Sequence, residues 1–286
     1  MLTVETWWYA LSAISVINIT LWVLSYRWLW RRKDIYPPSI FNRRLLMIWL
    51  SFVYVTVCAF RSFLPRIDLE RIALLDHWLS SILIGRTVTT VAEIFFMAQC
   101  ALLLHEAGKM TDKGLAVFLS LSLIPIIVIA EVFSWYAAIT TNYLGSVVEE
   151  SLWAFSGLLL VVGCLSLWPA ADKQGRTFLF TATLFGIGFL VFMILVDVPM
   201  YWQRYVVDTV ADKAYLPLWE GLRDMAGNYR QSFDWPVWAA EIPWMTLYFT
   251  VAVWVSIFLP HATIIRHKNN GHPSAISPQT PKAAKV

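Results

Sequence analysis

Six acidic residues, Glu93, Glu131, Glu149, Glu150, Asp197 and Glu241, fall within or at the ends of apolar stretches of this chain, together with two arginines, Arg61 and Arg86. A charged side chain at the middle of a membrane-spanning helix costs roughly 2.5–3.5 kcal/mol on insertion scales, so each needs a partner, a water-filled cavity or a purpose. Two arginines cannot neutralise six acids, so some carboxyls are expected to be protonated, open to water or bound to a cation. Carboxyls in such surroundings suit general acid and base work. Glu93, Glu131, Glu150, Asp197 and Glu241 are the candidates for it.

Arg86 and Glu93 stand seven residues apart and share a helix face, yet about 10 Å of rise separates them. Arg86 is therefore expected to find its counter-charge on a neighbouring helix, at Glu131, Asp197 or Glu241, and with Arg61 to hold the anionic end of a ligand. Aromatics follow the acids at helical spacing: Glu131 with Trp135, Glu149 with Trp153, Asp197 with Tyr201, and Glu241 with Trp244 and Tyr248. A pocket lined by Trp135, Tyr201, Trp244 and Tyr248 would suit an apolar ligand with one polar end. The structural alternative is that acids near helix N-termini complement the helix dipole while Arg86 locks the bundle through a buried ion pair.

The elements that must position these groups are apolar helices. Of 286 residues 58% are hydrophobic and 14% charged, against about 25% charged in soluble domains, so the fold class is an all-α integral membrane protein. Hydrophobic runs near 7–30, 45–64, 79–104, 115–136, 147–168, 177–199 and 239–259 predict a bundle of seven transmembrane helices occupying 1–260. Thirteen Lys and Arg fall in the odd-numbered connections and the C-terminal tail, against seven in the others. That asymmetry predicts an N-terminus outside the cytoplasm and a C-terminus inside, in a plasma or inner membrane. The orientation gathers five of the acids at the outer ends of their helices. Trp7, Trp8, Trp78, Trp135, Trp202 and Trp238 fall near the outer face, where amphipathic rings anchor at headgroups.

Several smaller features refine this picture. Gly85, Thr87, Thr89, Thr90 and Ala92 make the third span a close-packing central helix. Pro125, Pro199 and Pro243 predict bends. The outer connection 200–238 contains Leu216, Trp219 and Leu222 at helical spacing and is expected to hold a surface helix that caps the bundle. The tail 261–286 is polar and is expected to be disordered and cytoplasmic.

Other chemistries lack their residues. The basic groups form no stripe interleaved with aromatics, which argues against nucleic acid as a partner. Glu149-Glu150 is similar to the paired glutamates of the CAAX-type intramembrane proteases, but the family's following arginine is Ala154 here, and no histidine precedes His261 in the later helices. No lysine lies within a span to carry retinal, and the five histidines are scattered rather than paired for haem or a histidine box. No cofactor motif is present, and Cys58, Cys100 and Cys164 read as small core residues. No metal site is assigned, although a carboxyl-rich pocket suits a hard divalent cation. The leading expectation is an integral membrane enzyme acting on a lipid or isoprenoid-like substrate through intramembrane carboxylates. Its rivals are a transporter or lipid-handling protein and a non-catalytic membrane partner or sensor. Membrane lipids and a lipid-like or amphipathic small molecule are the expected partners.

Overall fold

A computed structural model describes residues 3–262; the expected disordered tail, apart from His261 and Ala262, lies outside them. Seven helices are long and apolar enough to cross a membrane: α1 (Val4–Trp30), α2 (Pro38–Phe63), α3 (Ile82–Met110), α4 (Gly114–Thr140), α5 (Tyr143–Leu167), α6 (Lys173–Val210) and, after a short helix α7 (Leu218–Gly227), α8 (Ile242–His261). Their lateral surface is apolar, with Phe118, Leu121, Phe180 and Leu195 exposed, while Arg61, Glu93, Glu131 and Glu149 are buried. That inversion of the soluble pattern is what a multi-pass membrane protein requires, because lipid solvates the apolar surface and charges must find partners inside.

Two apolar cores share α3. One joins α1, α2 and α8 around Leu11, Tyr54, Phe249 and Val253; the other joins α3 to α6 around Met97, Leu123, Ile127 and Leu179. The central place expected of α3 follows from its small residues, since Gly85, Thr89 and Ala92 are buried against neighbours. α4 packs along both α3 and α5, and α5 carries α6.

At the end of the bundle where α2 ends and α3 begins, two connections fold together into a cap. Strands β1 (Arg66–Ile67) and β2 (Ile72–Ala73) form a tight antiparallel hairpin, and β3 (Arg230–Gln231) adds in parallel to β2. These two-residue strands have no hydrophobic alternation of their own and went unforeseen. Arg71 closes the hairpin with φ of 56°, and its Nη1 donates to the Asp68 carbonyl at 2.7 Å and its Nε to Asp224 Oδ2 at 2.5 Å.

The surface helix of the sixth connection is present as α7, but the face that packs inward carries Gly221 and Met225, and Trp219 is exposed. Gly221 is required because a Cβ there would sit 2.0 Å from the Ile139 carbonyl oxygen of α4. α6 also runs to Val210, eleven residues beyond the expected 199. Its irregularity is one widened π turn, Met193–Asp197, placed just before Pro199. The proline offers no N–H and its ring crowds the carbonyl four residues back, which the wider turn accommodates. A second π turn, Tyr248–Ala252, interrupts α8. Trp7 and Trp238 are core residues rather than interfacial anchors, their indoles donating to Thr246 Oγ1 and the Ser232 carbonyl, both at 2.9 Å. His261, assigned to the tail, ends α8 with its Nε2 2.6 Å from Ser25 Oγ.

Candidate functional site

The cap covers a buried charge cluster built on the first three turns of α3. Arg86 donates through Nε and Nη2 to Asp68 Oδ2 at 3.1 and 2.8 Å, and through Nη1 to Ser134 and, at 3.4 Å, to Glu149 Oε1. Its counter-charges are thus Asp68 of the hairpin and Glu149 of α5, not Glu131, Asp197 or Glu241. Asp68 lies in a connection rather than a span, so the expectation of a helix-borne partner passed over it. Asp68 Oδ1 also accepts from Arg66 Nε at 2.8 Å. Burial would raise the Asp68 carboxyl, but the charges of Arg66 and Arg86 outweigh it and hold the group well below its ordinary range. Burial pulls the Arg66 guanidinium down to about 9, helped by Arg61 and Arg86 and opposed by Asp68. It stays protonated at neutral pH.

Beside Arg86, three carboxyls from three helices converge. Glu93 of α3, Glu131 of α4 and Glu149 of α5 are all buried and bring one oxygen each within 4.8 Å of the others. Tyr248, at the start of the α8 π turn, donates to Glu93 Oε1 at 2.9 Å. Thr90 donates to Glu131 Oε2 at 2.5 Å and itself accepts from Trp135 Nε1 at 3.0 Å. Trp135 therefore reaches Glu131 through a threonine, and Tyr248 serves Glu93 rather than Glu241. Among the described residues, Glu93 Oε2 and Glu131 Oε1 have no hydrogen-bond partner. A Ca²⁺-sized ion, with oxygen ligands at about 2.3–2.6 Å, fits that spacing better than Mg²⁺. The Arg86 guanidinium against Glu149 disfavours any cation there, since it already supplies positive charge.

The remaining acids form a second group nearer the cap. Arg204 of α6 lies 2.6 Å from Glu241 Oε1, off the direction of a hydrogen bond, and donates to Glu70 Oε1 at 3.2 Å. Glu241 Oε2 accepts from Trp244 Nε1 at 2.5 Å, as the helical spacing implied. Glu70 accepts from Tyr143 Oη at 2.6 Å. Burial, then the neighbouring Glu241 charge, raises the Glu70 carboxyl above its ordinary value. Asp197 is buried and Glu150 half-buried, and the Tyr201 ring lies tilted against Tyr143 with centroids 6.3 Å apart. Of the five proposed catalytic acids, then, Glu93 and Glu131 meet, with Glu149 rather than Glu150 as the third member.

Arg66, Asp68, Glu70 and Arg204 were missed as site residues. One signal for them was present: Arg61, Arg66, Arg71 and Arg204 are four of the seven basic residues that run against the charge asymmetry. Each is engaged in this cluster or its cap. Compared with known proteins, the chain matches no family model, no curated protein and no solved structure.

Proposed function

We propose that this protein is an integral membrane enzyme that performs acid-base chemistry on the polar end of a lipid or isoprenoid-like substrate, at the Glu93–Glu131–Glu149 triad. The observation that carries the reading is the convergence of three buried carboxyls from three helices, two of them with a free oxygen. A bundle that needed only a lock would be served by Arg86, Asp68 and Glu149. Glu93 and Glu131 each accept one hydrogen bond, from Tyr248 and Thr90, yet each keeps a second buried oxygen without a partner, a burial cost that a lock alone does not require.

Charge balance fits the chemistry. By formal charge alone, the four acids Asp68, Glu93, Glu131 and Glu149 with one shared proton would balance Arg61, Arg66 and Arg86, of which Arg66 and Arg86 pair directly with Asp68 and Glu149. A single proton that can be given and taken is what a general acid and base pair uses. Arg86 holds Glu149 and the hairpin in place, Tyr248 orients Glu93, and Thr90 with Trp135 orients Glu131. Glu150, Asp197 and Glu241 then serve as a polar path between the triad and the cap. The asymmetry of basic residues supports a capped end facing away from the cytoplasm in a plasma or inner membrane.

The test is to purify the protein in mild detergent, identify co-purifying lipids by mass spectrometry, and repeat with Glu93→Gln and Asp197→Asn. A bound lipid whose amount or chemical form changes in Glu93→Gln is expected. Unchanged ligand content, stability and cellular phenotype in both variants would sink the assignment. A transporter would instead show alternating access to the triad from both faces.

A further inference from the structure

We propose that Arg66 and Arg61 form a phosphate-binding subsite beside the triad, taking the phosphate of a lipid headgroup or free phosphate. The inference rests on the enzyme reading, whose polar substrate end it identifies. Arg66 is wholly buried and spends only its Nε on Asp68. Among the described residues, neither of its Nη atoms has a hydrogen-bond partner, and the same holds for Arg61 Nε. A buried charged donor left without an acceptor is costly, more so than a neutral one. Five N–H groups on two adjacent guanidiniums therefore call for an acceptor-rich guest.

The placement of these donors is built into the sequence. The Arg66 guanidinium lies in a slot on α3 that exists only because residue 85 is glycine, since a Cβ there would fall 1.2 Å from Arg66 Nη1. Arg61 Nη1 donates to Thr89 Oγ1 at 3.1 Å. Gly85 and Thr89 are one turn apart, so the two guanidiniums meet successive turns of one face of α3. Arg61 makes no ion pair with a carboxylate among the described residues, and Asp68 is shared between Arg66 and Arg86. Arg86, expected from the sequence to hold the anion, has its donors committed to Asp68, Ser134 and Glu149. A depression beside the hairpin that carries Arg66 is lined largely by apolar side chains such as Phe63, Leu64 and Leu79, with Asp76 and His77 also in its wall; Arg61 and Arg66 lie behind that lining rather than in it.

The experiment measures binding to the full-length protein in mild detergent with three probes: phosphatidic acid in mixed micelles, diacylglycerol of the same chains, and inorganic phosphate. Phosphatidic acid is expected to bind and diacylglycerol at least about tenfold more weakly, as expected on losing a charge-assisted hydrogen-bond set. Inorganic phosphate binding as well as phosphatidic acid would assign the subsite to free phosphate; its failure to bind would assign it to a headgroup. Arg66→Gln and Arg61→Gln are each expected to weaken the phosphate-dependent part by about tenfold or more. Arg61→Gln leaves Asp68 paired and carries the test where Arg66→Gln does not fold. Wild-type protein that fails to distinguish phosphatidic acid from diacylglycerol, or arginine variants that bind like wild type, overturns the proposal. Glu131→Gln separates the two readings. Arginine-dependent binding with identical lipid inventories for wild type and Glu131→Gln would keep the phosphate subsite and remove the enzyme.

Discussion

Replacing Asp68 by Asn leaves the shape of the hairpin and removes the one charge shared by two buried arginines. The carboxylate is 5% exposed and accepts three hydrogen bonds, from Arg66 Nε at 2.8 Å and from Arg86 Nε and Nη2 at 3.1 and 2.8 Å. An amide keeps a single oxygen and turns an N–H₂ toward a guanidinium. Breaking a buried pair by removing one partner costs about 3–5 kcal/mol. Arg86 retains Glu149 and Ser134, which places Asp68→Asn near the lower end, at about 3 kcal/mol. For a chain of this size each kcal/mol moves the melting midpoint by about 2–4 °C, so a fall on the order of 10 °C is expected. With 16 tryptophans in the chain, intrinsic fluorescence during heating in mild detergent reads it directly. If the cost comes from stranding Arg66, the Asp68→Asn/Arg66→Met double variant recovers at least about 1 kcal/mol of it. A single variant within about 3 °C of wild type, or a double variant no better than the single, refutes the reasoning.

Other outcomes follow from the same contacts. The folded Asp68 carboxyl is held below its ordinary value, so its contribution is present above the unfolded value of about 3.9 and lost as pH falls through the folded one. The gap in melting midpoint between wild type and Asp68→Asn should therefore stay constant from about pH 8 to 5 and close only in stronger acid. Gly221→Ala places a Cβ 2.0 Å from the Ile139 carbonyl oxygen, a backbone atom that cannot yield, so α7 should lift from α4 at a cost of about 1–3 kcal/mol. Faster limited proteolysis within 211–241 checks it. Tyr248→Phe removes the donor to Glu93 Oε1 without changing volume much, and is expected to cost about 1–3 kcal/mol of stability, read as a lowered melting midpoint, while slowing the proposed turnover more than it weakens lipid binding.

Much of the fold was legible because its physics is periodic and compositional. Seven apolar runs gave seven helices, and the small face of α3 put that helix at the centre. The cap was only half legible. Leu218–Gly227 was readable as amphipathic, whereas the hairpin at Arg66–Ala73 consists of two-residue strands held by arginine side chains across loops far apart in sequence. For the site, mid-span acids drew notice because charge in lipid is costly, which located Glu93 and Glu131. Which acids meet depends on helix rotation. Glu149 and Glu150 are adjacent in sequence and point about 100° apart on a helix, and the choice between them needed the packing of α5 on α4. Arg66 and Asp68 escaped because charged residues in a loop are ordinary until the loop is known to fold inward.

The central claim is that the triad turns over a lipid, and a time course of the co-purified lipid tests it most directly. Wild-type protein supplied with the lipid it retains should generate a new species by mass spectrometry, while Glu93→Gln, still folded and still binding, should leave the lipid unchanged. Equal lipid profiles from the two proteins over the same interval would contradict the account.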